Sequence, residues 1–484
     1  MSVKVNLKIL ASDSLIYGFS GILSRFIGVF LTPIYTRVYS PDDYGIIGIL
    51  GNGFILISIL LVFSLDNSTA RWFYDTENNQ ERKKIINSWL YFYLLASLFM
   101  AIFIFATSEY WAIQLLDGYP EGSYLIKLLA ISLPLLVWPT VSVNILRFER
   151  KAKQAVFLSL FQSLVLIGLN VLFVLILRKG VQGVYYAQLA GAVLTLPLSL
   201  YFLRSWLGKP QWFNLRIFKD MIKYAIPFVP ASLGYWAVNL SGVFFVNEYL
   251  PKSEVGLYQI GISIAALAGL ATTAFQQAWS PFAFSILNHS DSKDVYAASL
   301  QLYVFIVGLI CTIISVFAYE ALVLLTTPQY YNAAIVASIL TFNYFLMGLS
   351  NIAGLGASIA KKTAPLGLIN LISAVLLVCL NFIFIPFLGK EGAAISIVIS
   401  QLIIPVYMFR KSQILYPIPF KFGKNIKIFL IFITCSLIAY QLPSENFAYS
   451  ILMKIALLTS AFVGLAWMNR NELKQINYSL KKKI

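Results

Sequence analysis

The sequence predicts an all-α polytopic membrane protein of about fourteen transmembrane helices: two pseudo-symmetric six-helix lobes, plus two C-terminal helices. Three observations carry this. Of the 484 residues 59% are hydrophobic and only 12% are charged, with a mean hydropathy of +0.78; a soluble domain carries about a quarter charged residues. Apolar runs of membrane length fill almost the whole chain. Short landmarks recur at a spacing near 210 residues.

A spanning helix needs about 20 mostly apolar residues. Met1 to Asp13 is polar and basic, with Lys4 and Lys8. The apolar run after it, 14–36, is too long for the core of a cleavable leader and reads as the first span. Arg37 and the Pro41-Asp42-Asp43 turn separate it from the second, 44–65. Arg71, Arg82, Lys83 and Lys84 precede the third, 86–107, and Lys127 opens the fourth, 124–146. Arg147, Arg150, Lys151 and Lys153 lie before the fifth, 155–177; Arg178 and Lys179 lie before the sixth, 183–203. Arg204, Lys209, Arg216, Lys219 and Lys223 lead to the seventh, 225–247, and Lys252 to the eighth, 256–278. Lys293 precedes the ninth, 296–318; the tenth is 332–354; Lys361 and Lys362 precede the eleventh, 364–387. Lys390 divides that from the twelfth, 392–409. Arg410, Lys411, Lys421, Lys424 and Lys427 flank the thirteenth, 425–441, and the fourteenth is 447–467. Arg470, Lys474, Lys481, Lys482 and Lys483 follow it.

Cytoplasmic loops collect Lys and Arg. With the N-terminus inside, 28 basic residues fall on inside segments and 6 on outside ones, which predicts an even number of spans and cytoplasmic ends. The net charge of +16 is therefore read as topology, and no nucleic-acid partner is expected. Cys311, Cys379 and Cys435 all lie in apolar runs and read as small buried hydrophobes. His289 is the single histidine, which removes histidine-based catalysis and His-rich metal sites. No P-loop occurs, the loops are short, and neither a cofactor nor an enzymatic activity is expected.

The repeat pairs Pro41–Gly45 with Pro251–Gly256, Leu169-Asn170 with Leu380-Asn381, and Gly180–Gly183 with Gly389–Gly392, at offsets of 211, 211 and 209. Lys151 and Lys362 also match. Six spans per half keep both halves in one orientation. Residues 1–210 and 211–412 then form the lobes, with 413–484 as an appendage. Two such lobes around a midplane site are a transporter plan.

Several of these stretches resemble a family. Arg37-Val-Tyr-Ser-Pro-Asp-Asp-Tyr-Gly45 resembles the first-loop motif of bacterial polysaccharide flippases of the Wzx type. Tyr224-Ala-Ile-Pro227-Phe-Val-Pro230, Glu254-Val-Gly256-Leu-Tyr258, Gln276-Gln-Ala-Trp279-Ser-Pro281-Phe and Ile385-Pro386 followed by Gly389-Lys-Glu-Gly392 are similar to later motifs of the same family. It belongs to the multidrug/oligosaccharidyl-lipid/polysaccharide (MOP) exporter superfamily. The resemblance implies export of undecaprenyl-pyrophosphate-linked oligosaccharide units across a bacterial inner membrane for surface polysaccharides such as O-antigen. The partners it implies are the polyprenyl pyrophosphate-linked oligosaccharide, membrane lipids and other polysaccharide-assembly proteins. Many relatives carry an acidic residue where this chain reads Ser241-Gly-Val-Phe-Phe-Val-Asn247, so no ion-coupling role is carried over.

Arg25, midway along the first span, is the sharpest candidate for substrate contact. A charge at bilayer depth is costly and usually faces a cavity, and a guanidinium fork matches phosphate oxygens; the bland alternative is an internal ion pair or snorkelling. Asp66 and Arg71 end the second span at the predicted cytoplasmic mouth, where an interfacial ion pair is the plain alternative. Gln276, Gln277 and Trp279 occupy the corresponding place in the second half, and their amides and indole suit a sugar as well as a helix cap. Trp236, the repeat counterpart of Arg25, and Asn239 complete the set, although Asn239 and Asn52 read first as bonds between helices. The rival functions are a multidrug exporter of the same superfamily and a membrane glycan polymerase or ligase. Short outside loops weigh against the latter.

Overall fold

The computed structural model describes residues 31–287, 289–360, 362, 364–442 and 447–468. Among them every regular element is helical and no strand occurs. The candidate Arg25 lies outside the described residues.

Residues 31–38 are helical, and Ser40 starts α1 (Pro41–Val62) with a capping box. Its hydroxyl accepts from the Asp43 amide at 3.2 Å while the Asp43 carboxylate accepts from the Ser40 amide at 3.1 Å. The helix ends at Phe63 and restarts as α2 (Leu65–Asp75). Then come α3 (Asn79–Ala106), α4 (Ser108–Leu116), α5 (Gly122–Phe148), α6 (Ala152–Asn170) with a π-helical turn at Val171–Ile176, and α7 (Gln182–Leu203). The stretch expected as loop before the seventh span contains α8 (Leu215–Ala225). Asn214 caps it, accepting from the amides of Arg216 and Ile217, and only Met221 and Ala225 are buried. The seventh span is divided into α9 (Val229–Leu240) and α10 (Gly242–Tyr249). The rest are α11 (Lys252–Ser285), α12 (Ser292–Val316), α13 (Ala318–Leu325), α14 (Ala334–Ala353), α15 (Leu355–Ile359), α16 (Ala364–Leu415), α17 (Phe422–Gln441) and α18 (Phe447–Met468).

Eleven of the described helices are long and apolar enough to cross a bilayer, or twelve if the bent pair around Ser241 counts as one span. The sequence count of fourteen differs for two reasons. Most of the first span lies outside the described residues. The eleventh and twelfth share α16, interrupted at Gly389, whose φ of 61° and ψ of −143° are not helical. A side chain resists that backbone; glycine does not.

The solvent for this surface is lipid. On α3, Leu95 is 66% exposed, Phe99 71% and Ile102 61%, at the i, i+4, i+7 spacing of one helical stripe. Water would penalise such a face; hydrocarbon does not. Inside, polar side chains hold helices together, as expected where lipid removes the hydrophobic drive between them. Ser142 donates to the Ser199 carbonyl at 2.8 Å. Asn87 donates to the Trp206 carbonyl at 2.8 Å and accepts from the Gly208 amide at 3.0 Å, pinning the connector after α7 onto α3.

The described chain forms two compact units. One runs to Gln259 and takes in Asn370–Ala393; the other comprises Ile260–Ile369 and the residues from Ala394 onward. The core of the second unit is aromatic. Tyr303 donates to the Phe345 carbonyl at 2.7 Å and Tyr296 to that of Ala283 at 2.6 Å.

The landmarks of the repeat recur in local geometry. Gly180 has φ 58° and Gly389 φ 61°. Gly183 and Gly392 each lie against a backbone carbonyl, of Phe173 and Phe384. The short helices α4 and α13 each follow a long span, and Ser108 and Ala318 start them. The paired asparagines diverge. Asn170 accepts from the Tyr35 hydroxyl at 2.5 Å and donates to the Leu166 carbonyl at 2.8 Å. Asn381 is fully buried with neither amide atom hydrogen-bonded, because residues 245 and 246 of the second half are Phe and Val where the first has Tyr35. Replacing a buried group that has no partner by an apolar one is nearly neutral, whereas removing a bonded one costs about 0.5–1.5 kcal/mol and strands its partner. Asn381→Leu is therefore expected to melt at or above the wild-type temperature in detergent and Asn170→Leu below it; the reverse order would show that Asn381 has an internal partner.

Candidate functional site

The helix of the second span is broken at the end of its apolar run, without proline or glycine. Phe63 and Ser64 stand at φ 50° and 53°, consecutive left-handed residues between α1 and α2. Each such residue costs on the order of 1–3 kcal/mol, and such strain gathers at functional and switching segments. Broken helices also place half-helix ends at transporter binding sites. The break starts α2 with Asp66 in its first turn, where the helix dipole favours an anion. Asp66 is half-buried. A half-buried carboxylate thus stands at the start of a half-helix. It can orient a polar ligand.

Arg71 points elsewhere. Its partner is Asp75, one turn on, at 3.4 Å, and the two side chains are 61% and 50% exposed. Exposed pairs of this kind contribute little, so the guanidinium stays available to an anion. The sequence placed Asp66 and Arg71 together at one helix end; the structure puts the carboxylate inward and the guanidinium outward.

A polar seam joins α1 to the start of α11. Asn52 is buried; it donates to the Gly48 carbonyl at 2.8 Å and to the Gln259 side-chain oxygen at 3.2 Å. The Trp236 indole donates to the Asn52 carbonyl at 3.2 Å, so Asn52 bonds helices in both directions. Beside the seam, the ends of α1 and α11 touch backbone to backbone. A Cβ on Gly45 would collide with the Lys252 carbonyl oxygen, and one on Gly256 with that of Pro41. These glycines are the paired first-loop landmarks of the repeat. Lys252 closes the same end: its ammonium lies 2.9 Å from Asp117 and 2.9 Å from the Leu115 carbonyl. Lys390 bonds Glu254 at 2.7 Å. Burial, with Asp43 and Glu121 adding, pushes the Tyr119 phenol in this loop region above its ordinary range, so it stays a neutral hydroxyl.

Trp236 also walls a cavity of about 370 Å³ with Phe244, Gly53, Phe54 and Trp111. Its lining is almost wholly apolar, which suits a hydrocarbon chain and not a sugar. Asn239 donates to the Tyr235 carbonyl at 2.9 Å within its own helix. In the second unit, Gln276 is half-buried and Gln277 exposed. Trp279 is 3% exposed and packed, stacked on Phe275 at 5.6 Å and edge-on to Tyr296 at 6.2 Å.

Sequence reasoning missed the break at Phe63-Ser64, the Lys252–Asp117 pair and a buried ion pair between Glu320 and Lys454. The last had a signal: Glu320 and Lys454 are lone opposite charges inside apolar stretches. The first had none, because Phe and Ser are not helix breakers.

A family model described as polysaccharide biosynthesis protein matches residues 34–335, more than half of the chain. The chain belongs to this family. Among the family-matched chain's curated relatives is a protein of Haloferax volcanii named probable low-salt glycan biosynthesis flippase, 25% identical over 296 residues. That alignment covers 59% of this chain and 60% of the relative's length. Among solved structures, the lipid II flippase MurJ in an inward closed conformation superposes with a TM-score of 0.75 at 14% identity, over 95% of this chain and 100% of that one. An inward-facing multidrug resistance MATE transporter of the MOP superfamily gives 0.68 at 17%, over 81% and 94%. This member of the family therefore has the fold of the MOP transporters.

Proposed function

We propose that the chain is a flippase that moves an undecaprenyl-pyrophosphate-linked oligosaccharide from the cytoplasmic to the outer leaflet of a bacterial inner membrane, for O-antigen or related surface polysaccharide. The observation that carries the reading is the family match over residues 34–335. Two six-helix lobes, 1–210 and 211–412, rock about the substrate while both chain ends stay cytoplasmic. Arg25 receives the pyrophosphate, because a guanidinium fork matches phosphate oxygens and can replace the water they lose. Asp66 orients hydroxyls of the sugar, and the exposed Arg71 draws the anionic head group in. Trp236 and Asn239 are further substrate contacts, the indole by its apolar face. Gln276 and Gln277 offer amides to the sugar, with Trp279 as their packed anchor. The polyprenyl tail stays in lipid throughout.

The test compares lipid-linked intermediates on each leaflet of a deletion strain carrying wild-type or variant protein. Arg25→Ala is expected to insert normally and lose surface glycan, with the intermediate accumulating on the inner leaflet. Wild-type glycan output from that variant would reject the role of Arg25, and unchanged leaflet distribution on deletion would reject the flippase itself. The MATE likeness favours one second reading, a multidrug exporter. Drug sensitivity of the deletion strain with normal surface glycan would establish it instead.

A further inference from the structure

The second unit contains a groove of about 490 Å³, within the range of sites that hold small ligands. It runs between α12, α14, α16 and α17. Its wall is apolar, with Val304, Phe345, Leu349 and Phe429 among the lining side chains. Arg410, Gln413 and Asn425 also line it, and no carboxylate does.

The three polar side chains are not equivalent. The Gln413 amide is spent on its own turn, donating to the Ile418 carbonyl at 2.7 Å and accepting from the Ile418 amide at 3.0 Å. Arg410 is exposed and pairs with no carboxylate among the described residues. Asn425 is 6% exposed, and both its amide nitrogen and its amide oxygen are buried without a hydrogen bond. A buried amide in an apolar wall is costly unless something bonds it. Here the missing partner must both accept and donate. It must also tolerate a cation beside it, with Lys421, Lys424 and Lys427 close in sequence to Asn425.

We propose that this groove holds an anionic glycerophospholipid with a hydroxylated head group, of the phosphatidylglycerol type. One acyl chain lies along the apolar wall. The phosphate accepts from the Arg410 guanidinium and the Asn425 amide nitrogen, and a head-group hydroxyl donates to the Asn425 oxygen. The charge at the site excludes a cationic lipid, and the amide oxygen selects for a head group that can donate. Clusters of basic residues at the cytoplasmic ends of spans recognise anionic lipid in the same way. The assignment does not depend on which substrate the protein moves.

The experiment uses the full purified chain in a neutral detergent, with thermal midpoint and native mass spectrometry as readouts. Phosphatidylglycerol is expected to raise the midpoint of the wild type and remain bound as one retained molecule. Phosphatidylcholine and inorganic phosphate are expected to do neither. Arg410→Gln, at an exposed position that leaves the fold intact, is expected to weaken phosphatidylglycerol binding about fivefold. Asn425→Leu is expected to abolish the preference for phosphatidylglycerol over phosphatidylcholine and to raise the lipid-free midpoint. Equal stabilisation by phosphatidylcholine, or variants that bind as the wild type does, would overturn the proposal. Displacement of phosphatidylglycerol by a polyprenyl phosphate, with the same dependence on Arg410 and Asn425, would also overturn it and give the groove to the transported lipid.

Discussion

Lys454→Met is expected to destabilise the protein by about 3–5 kcal/mol, the cost of leaving a buried charge without its partner. In the native structure the Lys454 ammonium lies 2.7 and 2.9 Å from the two oxygens of Glu320, and Ser450 donates to the same carboxylate at 2.8 Å. The side chains are 6% and 4% exposed. The pair fastens α18, the last described span, to the short helix α13. Removing the lysine leaves Glu320 with one hydroxyl in a hydrocarbon setting. The double variant Glu320→Leu/Lys454→Met removes both charges and is expected to recover most of the loss, since apolar replacements of buried pairs are often neutral or stabilising. Melting of all three proteins in detergent, with protease nicking before α18, checks this. A Lys454→Met protein that melts with the wild type and resists nicking would show that α18 is held by packing alone.

Gly45→Val is expected to have the next largest effect. At ordinary core positions overpacking costs about 1–3 kcal/mol, because side chains shift to make room. Here the neighbour is the Lys252 carbonyl oxygen, part of a backbone that the Lys252–Asp117 pair and the Asn52–Gln259 bond hold in place. Gly256→Val meets the Pro41 carbonyl in the same way. Either change must part α1 from α11, so both are expected to lower the melting temperature. Gly51, on the same helix with no heavy atom within 4 Å of a built Cβ, supplies the control. Gly51→Val is expected to melt as the wild type does. If Gly45→Val melts with it, the contact between the two helix ends is not fixed in the native protein.

Both results concern contacts between residues far apart in the chain, and this marks the limit of what could be read in advance. Composition and run length were enough to announce a helical membrane protein, because hydrocarbon imposes its requirement residue by residue: each span must be apolar over its own length. The repeat was legible for a similar reason. Gly180 and Gly389 adopt positive φ, a local demand that only certain residues meet, so the demand leaves a trace in the sequence. A lone charge inside an apolar run, such as Arg25, is legible as an oddity for the same reason.

What the partners of those oddities are was decided by the tertiary structure. Glu320 and Lys454 are 134 positions apart, and nothing local requires one to find the other. Asn170 and Asn381 occupy matching places, yet only the first has a hydroxyl waiting. Trp279, in a motif that also suits sugar binding, is packed among aromatic rings, and periodicity cannot tell an indole that faces a neighbour from one that faces a ligand. The break at Phe63-Ser64 is the plainest case. Neither residue disfavours a helix by itself, so the left-handed turn persists only because surrounding packing outweighs its strain. Local chemistry made this chain a bundle of membrane helices; the sum of distant contacts chose where one of them bends and which carboxylate faces inward.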